Sequence, residues 1–355
     1  MLSNELVNTG RQKEIDLVKA ISIIGMIICH VIEEIYTSYK GDPFAVYIRE
    51  YGNQIIGAQA FMIAMGIGIT YSRKIDWKLL LERGVNLFFI VMLLNLARYA
   101  LPDLLVFLYT GDIFYRKTAF LTFSSDIMQF AGVTFLLIGI LKYFHFSELK
   151  IFLTSILMNI IGMLTVFKIN TGSYPLDQFF GLFFSTKSES FFPLFHWFIF
   201  PAFGMYFGYL LKYVNDKKKF YLTLLIPTGI ITITYVYVAA CVNQSYFRVI
   251  QDLNSFNYMN IKDALMHLVC NTFHICVCFY IVGLFSEKKT KAVNFISGNI
   301  NRFYCVQWIL ISSLETIFSA VFAYEVTKGY EFYLLTLQIF VIITRNIHFF
   351  FFYIL

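Results

Sequence analysis

In this chain His30 is the residue best placed, by type and by neighbours, to move a proton. Glu33 and Glu34 follow it at i+3 and i+4, the spacing that sets a carboxylate beside an imidazole on one helix face. A carboxylate so placed orients the ring and raises its basicity, the usual arrangement for general-base catalysis. Asp16 precedes His30 on the same apolar run, about 21 Å away along a helix and within about 40° of the same face. The same residues also fit a buried histidine that does no more than bridge two helices.

A second polar set is Asp263, His267, Asn271 and His274, whose steps of four, four and three residues draw one stripe down a helix. Inside an apolar run such a stripe must face protein or a water-filled cavity. It is expected to line a substrate cavity, with plain helix packing as the alternative. Two histidines without a third well-placed ligand do not make a zinc site, so no metal is expected. Arg345, Asn346 and His348 form a third set in the last apolar run, with Glu315 in the run before it. Arg345 is grouped with the cavity lining, although an Arg and a Glu in neighbouring runs can simply neutralise each other. His196, in Pro193-Leu194-Phe195-His196-Trp197, suits a helix start at a membrane interface.

The elements that carry these residues must lie in lipid. Hydrophobic residues make up 58% of the chain and charged residues only 14%, well short of the roughly 25% of a soluble domain. Apolar runs of about 20 residues predict an all-α, polytopic membrane bundle of about ten transmembrane helices. The spans are expected near 15–36, 52–72, 80–101, 126–144, 148–168, 191–212, 220–241, 263–284, 295–320 and 330–353. The Lys/Arg bias, strongest at Lys217-Lys218-Lys219, predicts that both termini are cytoplasmic. Stretches 101–125, 169–190 and 242–262 then become outer loops able to shape an acceptor site. The formal charge of +6 sits in short clusters between apolar runs, which argues against a nucleic-acid partner. Six cysteines lie mostly within apolar runs, without metal-ligand spacing, as small packing residues. The first run carries His30 and two glutamates rather than a small-residue cleavage site, so it is expected to stay as an anchor. No soluble segment, low-complexity tract or repeat divides residues 1–355, which read as a single membrane domain. Gly66 and Gly68 are expected to permit close helix packing.

Several of these segments resemble the integral-membrane acyltransferases, both the acyltransferase-3 family and the heparan-α-glucosaminide N-acetyltransferase-like family. Asp16-x-x-Lys19 followed by His30 resembles the first-helix signature, with Lys19 where that pattern has Arg. Ile23-Ile24-Gly25-Met26 before Cys29-His30, and the acidic residues after it, lean to the second family. Phe61 to Thr70 followed by Ser72-Arg73 resembles the second helix. Asp126-Ile127-Met128-Gln129-Phe130-Ala131-Gly132 resembles the fourth-helix entry. Phe192-Pro193-Leu194-Phe195-His196-Trp197 with Gly204 and Gly208 resembles a Pro-Trp-Gly helix, with His196 in place of Pro. Asn301, Tyr304, Gln307 and Trp308 resemble the closing helix.

The resemblance covers residues 11–320 and implies a multi-pass enzyme of a cell membrane, in the bacterial case the plasma membrane. It would move an acyl group, most simply acetyl, from cytoplasmic acyl-CoA (acetyl-CoA) to a hydroxyl or amine of an outer glycan or lipid-linked sugar. His30 would be the base, oriented by Glu33 or Glu34, with Asp16 in the same signature. Lys19, Arg73, Lys74 and Arg83 would hold the donor's phosphates. The stripe from Asp263 to His274 would line the acceptor's approach. Two other classes fit the same hydropathy: a small-molecule transporter using the His and carboxylates as proton relays, and a non-catalytic protein on the same fold. Oligomeric state is open, a homodimer included.

Overall fold

The computed structural model describes residues 2–36, 39–49, 57–72, 76–186, 190–243, 257–320 and 329–353. It is helical throughout; among the described residues the only β-type pairing is an isolated bridge between Leu2 and Val214. Among the described residues seven helices are long and apolar enough to cross a membrane, and Ala58–Tyr71 and Leu334–Arg345 are shorter apolar helices. The protein is thus a polytopic helical membrane protein, as its composition requires.

Helix α1 (Lys13–Glu34) is the central post. Val18, Ile23, Ile27, Val31 and Ile32 are all buried along it. Its first turn carries Glu14 and Asp16, the charge that a helix N-terminus favours. After a short helix α2 (Pro43–Tyr47), helix α3 (Ala58–Tyr71) runs back beside α1. Helix α4 (Trp77–Asn95) passes through one π-helical turn, Leu96–Ala100, into α5 (Leu101–Thr110), which stops at Gly111 in the left-handed conformation. The stretch 101–125, expected as a loop, is therefore largely helical, since Leu-rich sequence continues the span and α6 (Ile113–Thr118) follows. Next come α7 (Ile127–Tyr143), α8 (Glu148–Thr165), a short α9 (Tyr174–Gly181) inside another expected loop, and α10 (Leu194–Lys212). Helices α11 (Lys217–Asn243) and α12 (Ile261–Val282) complete the bundle around α1. The single span expected over 295–320 is two helices, α13 (Glu287–Gly298) and α14 (Ile300–Ala320), because Gly298-Asn299 breaks the helix where the polar, lysine-bearing stretch meets the apolar one. The last helix is α15 (Gly329–Tyr353).

Small residues set the tightest contacts. A methyl on Gly66 would overlap the Pro201 carbonyl oxygen, and one on Gly204 would overlap that of Ile63, so α3 and α10 touch backbone to backbone. Gly68, expected to serve the same contact, instead lies beside the Lys19 side chain. Large apolar side chains point outward on the perimeter: Leu108 is 77% exposed, and Leu157, Ile226, Ile230 and Ile233 behave alike. An outer surface of this kind is stable against lipid tails.

The two ends of the bundle differ. At the end bearing the N-terminus, Ser3 N–H donates to the Tyr213 carbonyl, Val7 N–H to that of Lys212, and the Tyr71 hydroxyl to that of Asn8. Lys217 pairs with buried Glu14 at 2.6 Å, and Arg11 pairs with Asp16. The other end holds a polar cavity.

Candidate active site

The cavity at the far end of α1 has a volume of about 320 Å³. His30, Glu33 and Glu34 enter it from the last turns of α1, Arg49 from after α2, and Arg98 and Tyr99 from the π turn. Ser124, Ser125 and Asp126 line it at the start of α7, Phe191 and Phe192 before α10, Asn257 before α12, and Trp308 from within α14. Widely separated parts of the chain converge here.

Its floor is an ion pair. Arg98 reaches Asp126 at 2.8 Å with its own side chain only 2% exposed. The π turn Leu96–Ala100 inserts one extra residue per turn and so aims Arg98 across the helix pair. Asp126 has three tasks: it caps α7 by accepting from the Ile127 N–H at 2.6 Å, it accepts from Arg98, and it accepts from the Tyr304 hydroxyl. A carboxylate with three donors is held in one orientation, as a buried charge requires. The Arg98 guanidinium also lies 4.5 Å above the Trp308 ring centroid and 4.5 Å above that of Tyr99.

His30 packs on the same Trp308 indole. The two ring centroids are 4.0 Å apart with planes inclined at 32°. His30 Nδ1 is buried with no hydrogen-bond partner. Glu33 turns to Arg49, forming an ion pair at 3.2 Å, and Glu34 lines the cavity without an ion pair to any described residue. The imidazole is thus positioned by an indole, with both carboxylates sharing its cavity. Phe192, which also lines it, has a φ of 56°, a left-handed conformation that a bulky aromatic residue adopts only under constraint.

The other expected site residues are distributed more widely. Asp16 lies at the opposite end of α1, accepting from Arg11 and, at 2.9 Å, from the Ser297 hydroxyl. Lys19 is half-buried near it, and Arg83 is exposed on α4. Arg73 and Lys74 lie outside the described residues. The stripe on α12 stays on one helix face but does not line the His30 cavity. Asp263 binds Asn260 at 2.7 Å, and the Asn271 amide donates to the His267 carbonyl at 2.8 Å. His274 Nε2 approaches the Cys278 thiol at 3.7 Å. Arg345 is exposed on α15, and no ion pair joins it to Glu315 among the described residues. His196 is fully buried, its Nδ1 3.2 Å from the Met259 carbonyl, so it ties α10 to the start of α12. Among the described residues no cluster of three His, Cys, Asp or Glu is arranged to hold a metal ion.

Sequence reasoning misses Arg98, which falls within the span expected over 80–101. An arginine embedded between Leu96 and Leu101 is the signal, since ionisable residues inside apolar runs mark sites. Its partner Asp126 announces only a helix start, and nothing local in the sequence joins the two.

A family model described as "Heparan-alpha-glucosaminide N-acetyltransferase, catalytic" matches residues 11–235, more than half of the chain. That range holds α1, the π turn with Arg98, Asp126 and the start of α10. No curated protein and no solved structure matches the chain.

Proposed function

From the premise that the chain belongs to the heparan-alpha-glucosaminide N-acetyltransferase catalytic family, we propose that it transfers an acetyl group from acetyl-CoA to a sugar amine or hydroxyl reaching the His30 cavity. The observation that carries this reading is that His30, Glu33, Glu34 and a buried Arg98–Asp126 pair line one polar cavity of a membrane bundle.

The chemistry has a simple form. His30 accepts the proton of the acceptor N–H or O–H as that atom bonds to the thioester carbonyl carbon. The carbon–sulfur bond breaks, and the leaving coenzyme A thiolate takes the proton that His30 accepted, returning the imidazole to its neutral form. Arg98, next to the same space, offers positive charge to the oxyanion of the tetrahedral intermediate. Lys19, about 16 Å along α1 from His30, and Arg83 on α4 supply charge for the donor's phosphates, and the thioester arm follows α1 to His30. The acceptor enters from the side opposite the N-terminus, which is the outer face if the termini are cytoplasmic. Glu33, paired with Arg49, and Glu34 supply polar contacts to it.

The test is acetyl-CoA binding and slow thioester hydrolysis by the purified protein, compared with His30→Ala. Binding in both, with hydrolysis lost in the variant by about 10²-fold or more, supports the proposal. Absence of acetyl-CoA binding in the wild type, or hydrolysis untouched by the substitution, removes it.

A further inference from the structure

Beside the His30 cavity lies a second hollow that the acyl-transfer chemistry does not use. It is an open groove of about 480 Å³ lined by Phe114, Lys117, Thr118, Leu121, Tyr174 and Pro175. Its walls come from α6, the turn that follows it, and the first turn of α9. Apart from Lys117 and two hydroxyl groups they are apolar.

Three observations bear on what fills it. First, the groove sits in a lipid-facing setting. Ile113 and Phe114 are more than half exposed, and so are Leu176 and Phe179 beyond its far wall; α5 leads into it through Leu108 and Tyr109, which are 77% and 78% exposed. Second, α6 places Arg116 and Lys117 directly after these apolar residues, so a cationic rim borders an apolar trough. That pairing of chemistry matches an anionic headgroup above a hydrocarbon tail. Third, the groove adjoins the cavity. The Tyr174 hydroxyl, on the groove wall, lies 2.7 Å from the Ser124 hydroxyl, and Ser124 lines the His30 cavity. That hydrogen bond joins a wall of one space to a wall of the other.

We infer that this groove holds the hydrocarbon tail and phosphate of a lipid-linked sugar, with the phosphate at Lys117 and the sugar passing the Ser124–Tyr174 pair into the His30 cavity. The inference rests on the acyl-transfer reading and adds the class of acceptor to it. A membrane-anchored acceptor is confined to two dimensions and held at the cavity mouth, so its effective concentration there exceeds that of a free sugar.

The experiment uses the full chain in nanodiscs and a farnesyl phosphate analogue with a diazirine near the tail end. Crosslinking with peptide mapping reads the binding position and needs no acetyl transfer. The expected result is labelling of the peptides bearing Phe114, Leu121 and Tyr174, reduced at least tenfold in Lys117→Glu and in Phe114→Gln. Both substitutions change exposed side chains, and thermal unfolding of each variant checks that the fold persists. Farnesol and a diazirine phosphatidylcholine serve as controls. Labelling by either to the same extent would make the groove an ordinary lipid contact and overturn the assignment. No labelling of these peptides above the level of the controls would overturn it as well.

A second arm separates this inference from the reading beneath it. Acetyl transfer is measured to farnesyl-phosphoryl-glucosamine and to free glucosamine. A lipid-linked acceptor with a KM at least tenfold lower, raised by Lys117→Glu while transfer to free glucosamine is unchanged, supports the groove. Equal KM values for the two acceptors would sink the groove while leaving the transferase standing. Specific labelling without any acetyl-CoA consumption would sink the transferase while leaving the lipid site standing.

Discussion

The His30 imidazole packs on the Trp308 indole, 4.0 Å between centroids, while the Arg98 guanidinium packs on the same indole at 4.5 Å. Trp308 therefore touches both the proposed base and the buried cation. It fixes the ring that must meet an acceptor and the charge that must meet the oxyanion, and it does so from a helix some 280 residues away in sequence.

Replacing Trp308 by Ala is expected to lower kcat by about 10²-fold, the scale of a displacement of roughly 1 Å at a reacting group. The KM for acetyl-CoA should change little, because the proposed donor-phosphate site is at the other end of α1. Trp308→Phe, which keeps an aromatic surface, should recover part of the loss. Steady-state kinetics on the three proteins checks this, and an unchanged kcat in Trp308→Ala would count against the indole as the positioning surface.

Asp126 allows its charge to be separated from its capping role. Asn is as good an N-cap as Asp, so Asp126→Asn should keep α7 capped while leaving Arg98 buried and unpaired. Removing one partner of a buried pair costs about 3–5 kcal/mol. Asp126→Ala should cost about 1 kcal/mol more, for the lost cap. Thermal unfolding in detergent should therefore rank wild type, Asn and Ala in that order. Equal stability of wild type and Asp126→Asn would show that Arg98 has another counter-charge.

Much of this architecture is visible in the sequence because lipid makes periodicity simple: long apolar runs must be helices, and every exception to apolarity needs a reason. His30, Glu33 and Glu34 stand out in this way and do share one cavity. The break between α13 and α14 does not, since Val293, Phe295 and Ile296 carry the apolar pattern up to it and Ile300 resumes it at once. Nor do the partners of His30. Helix α1 fixes which face its residues share, whereas the register of α14 against it is set by tertiary packing that no local pattern records. The stripe from Asp263 to His274 shows the converse: its periodicity is legible, but a shared face does not say which neighbour it meets, and it packs away from the cavity.

Two glycines with the same local setting should respond oppositely to alanine. Gly66 faces α10, where a methyl would overlap the Pro201 carbonyl and fall 2.9 Å from the Met205 nitrogen, both backbone atoms that no rotamer change can move. Gly25, in the middle of α1, has nothing within 4 Å of a built Cβ. Gly66→Ala should destabilise by about 1–3 kcal/mol or more through overpacking. Gly25→Ala should be neutral or stabilising by up to about 1 kcal/mol, the helix propensity of Ala over Gly. Thermal melts of both variants read the contrast directly, and a stable Gly66→Ala protein would show that α3 and α10 are less closely apposed.

The separation of the two ends predicts a division of kinetic labour. Lys19 stands about three turns of α1 from His30, in the quarter that also holds Arg11, Asp16 and Lys217. If that end takes the donor's phosphates, Lys19→Ala should raise the KM for acetyl-CoA by about 10-fold to 100-fold, the worth of one charged hydrogen bond at about 1.5–3 kcal/mol. Its kcat should stay close to wild type, because no group at the reacting carbon has changed. Arg83 is exposed, so Arg83→Ala should act in the same direction with a smaller effect that fades as salt is raised. Dephospho-coenzyme A supplies the discriminating probe: if these cations read the 3′-phosphate, it should compete with acetyl-CoA poorly in wild type, and as well as coenzyme A in Lys19→Ala. A variant in which kcat falls and KM is unchanged would move Lys19 out of donor binding and leave it holding Asp16 in place. In that case the donor's charge must be met by other cations of the same end, with Lys212, whose ammonium donates to the Thr70 carbonyl at 2.6 Å, the next to substitute.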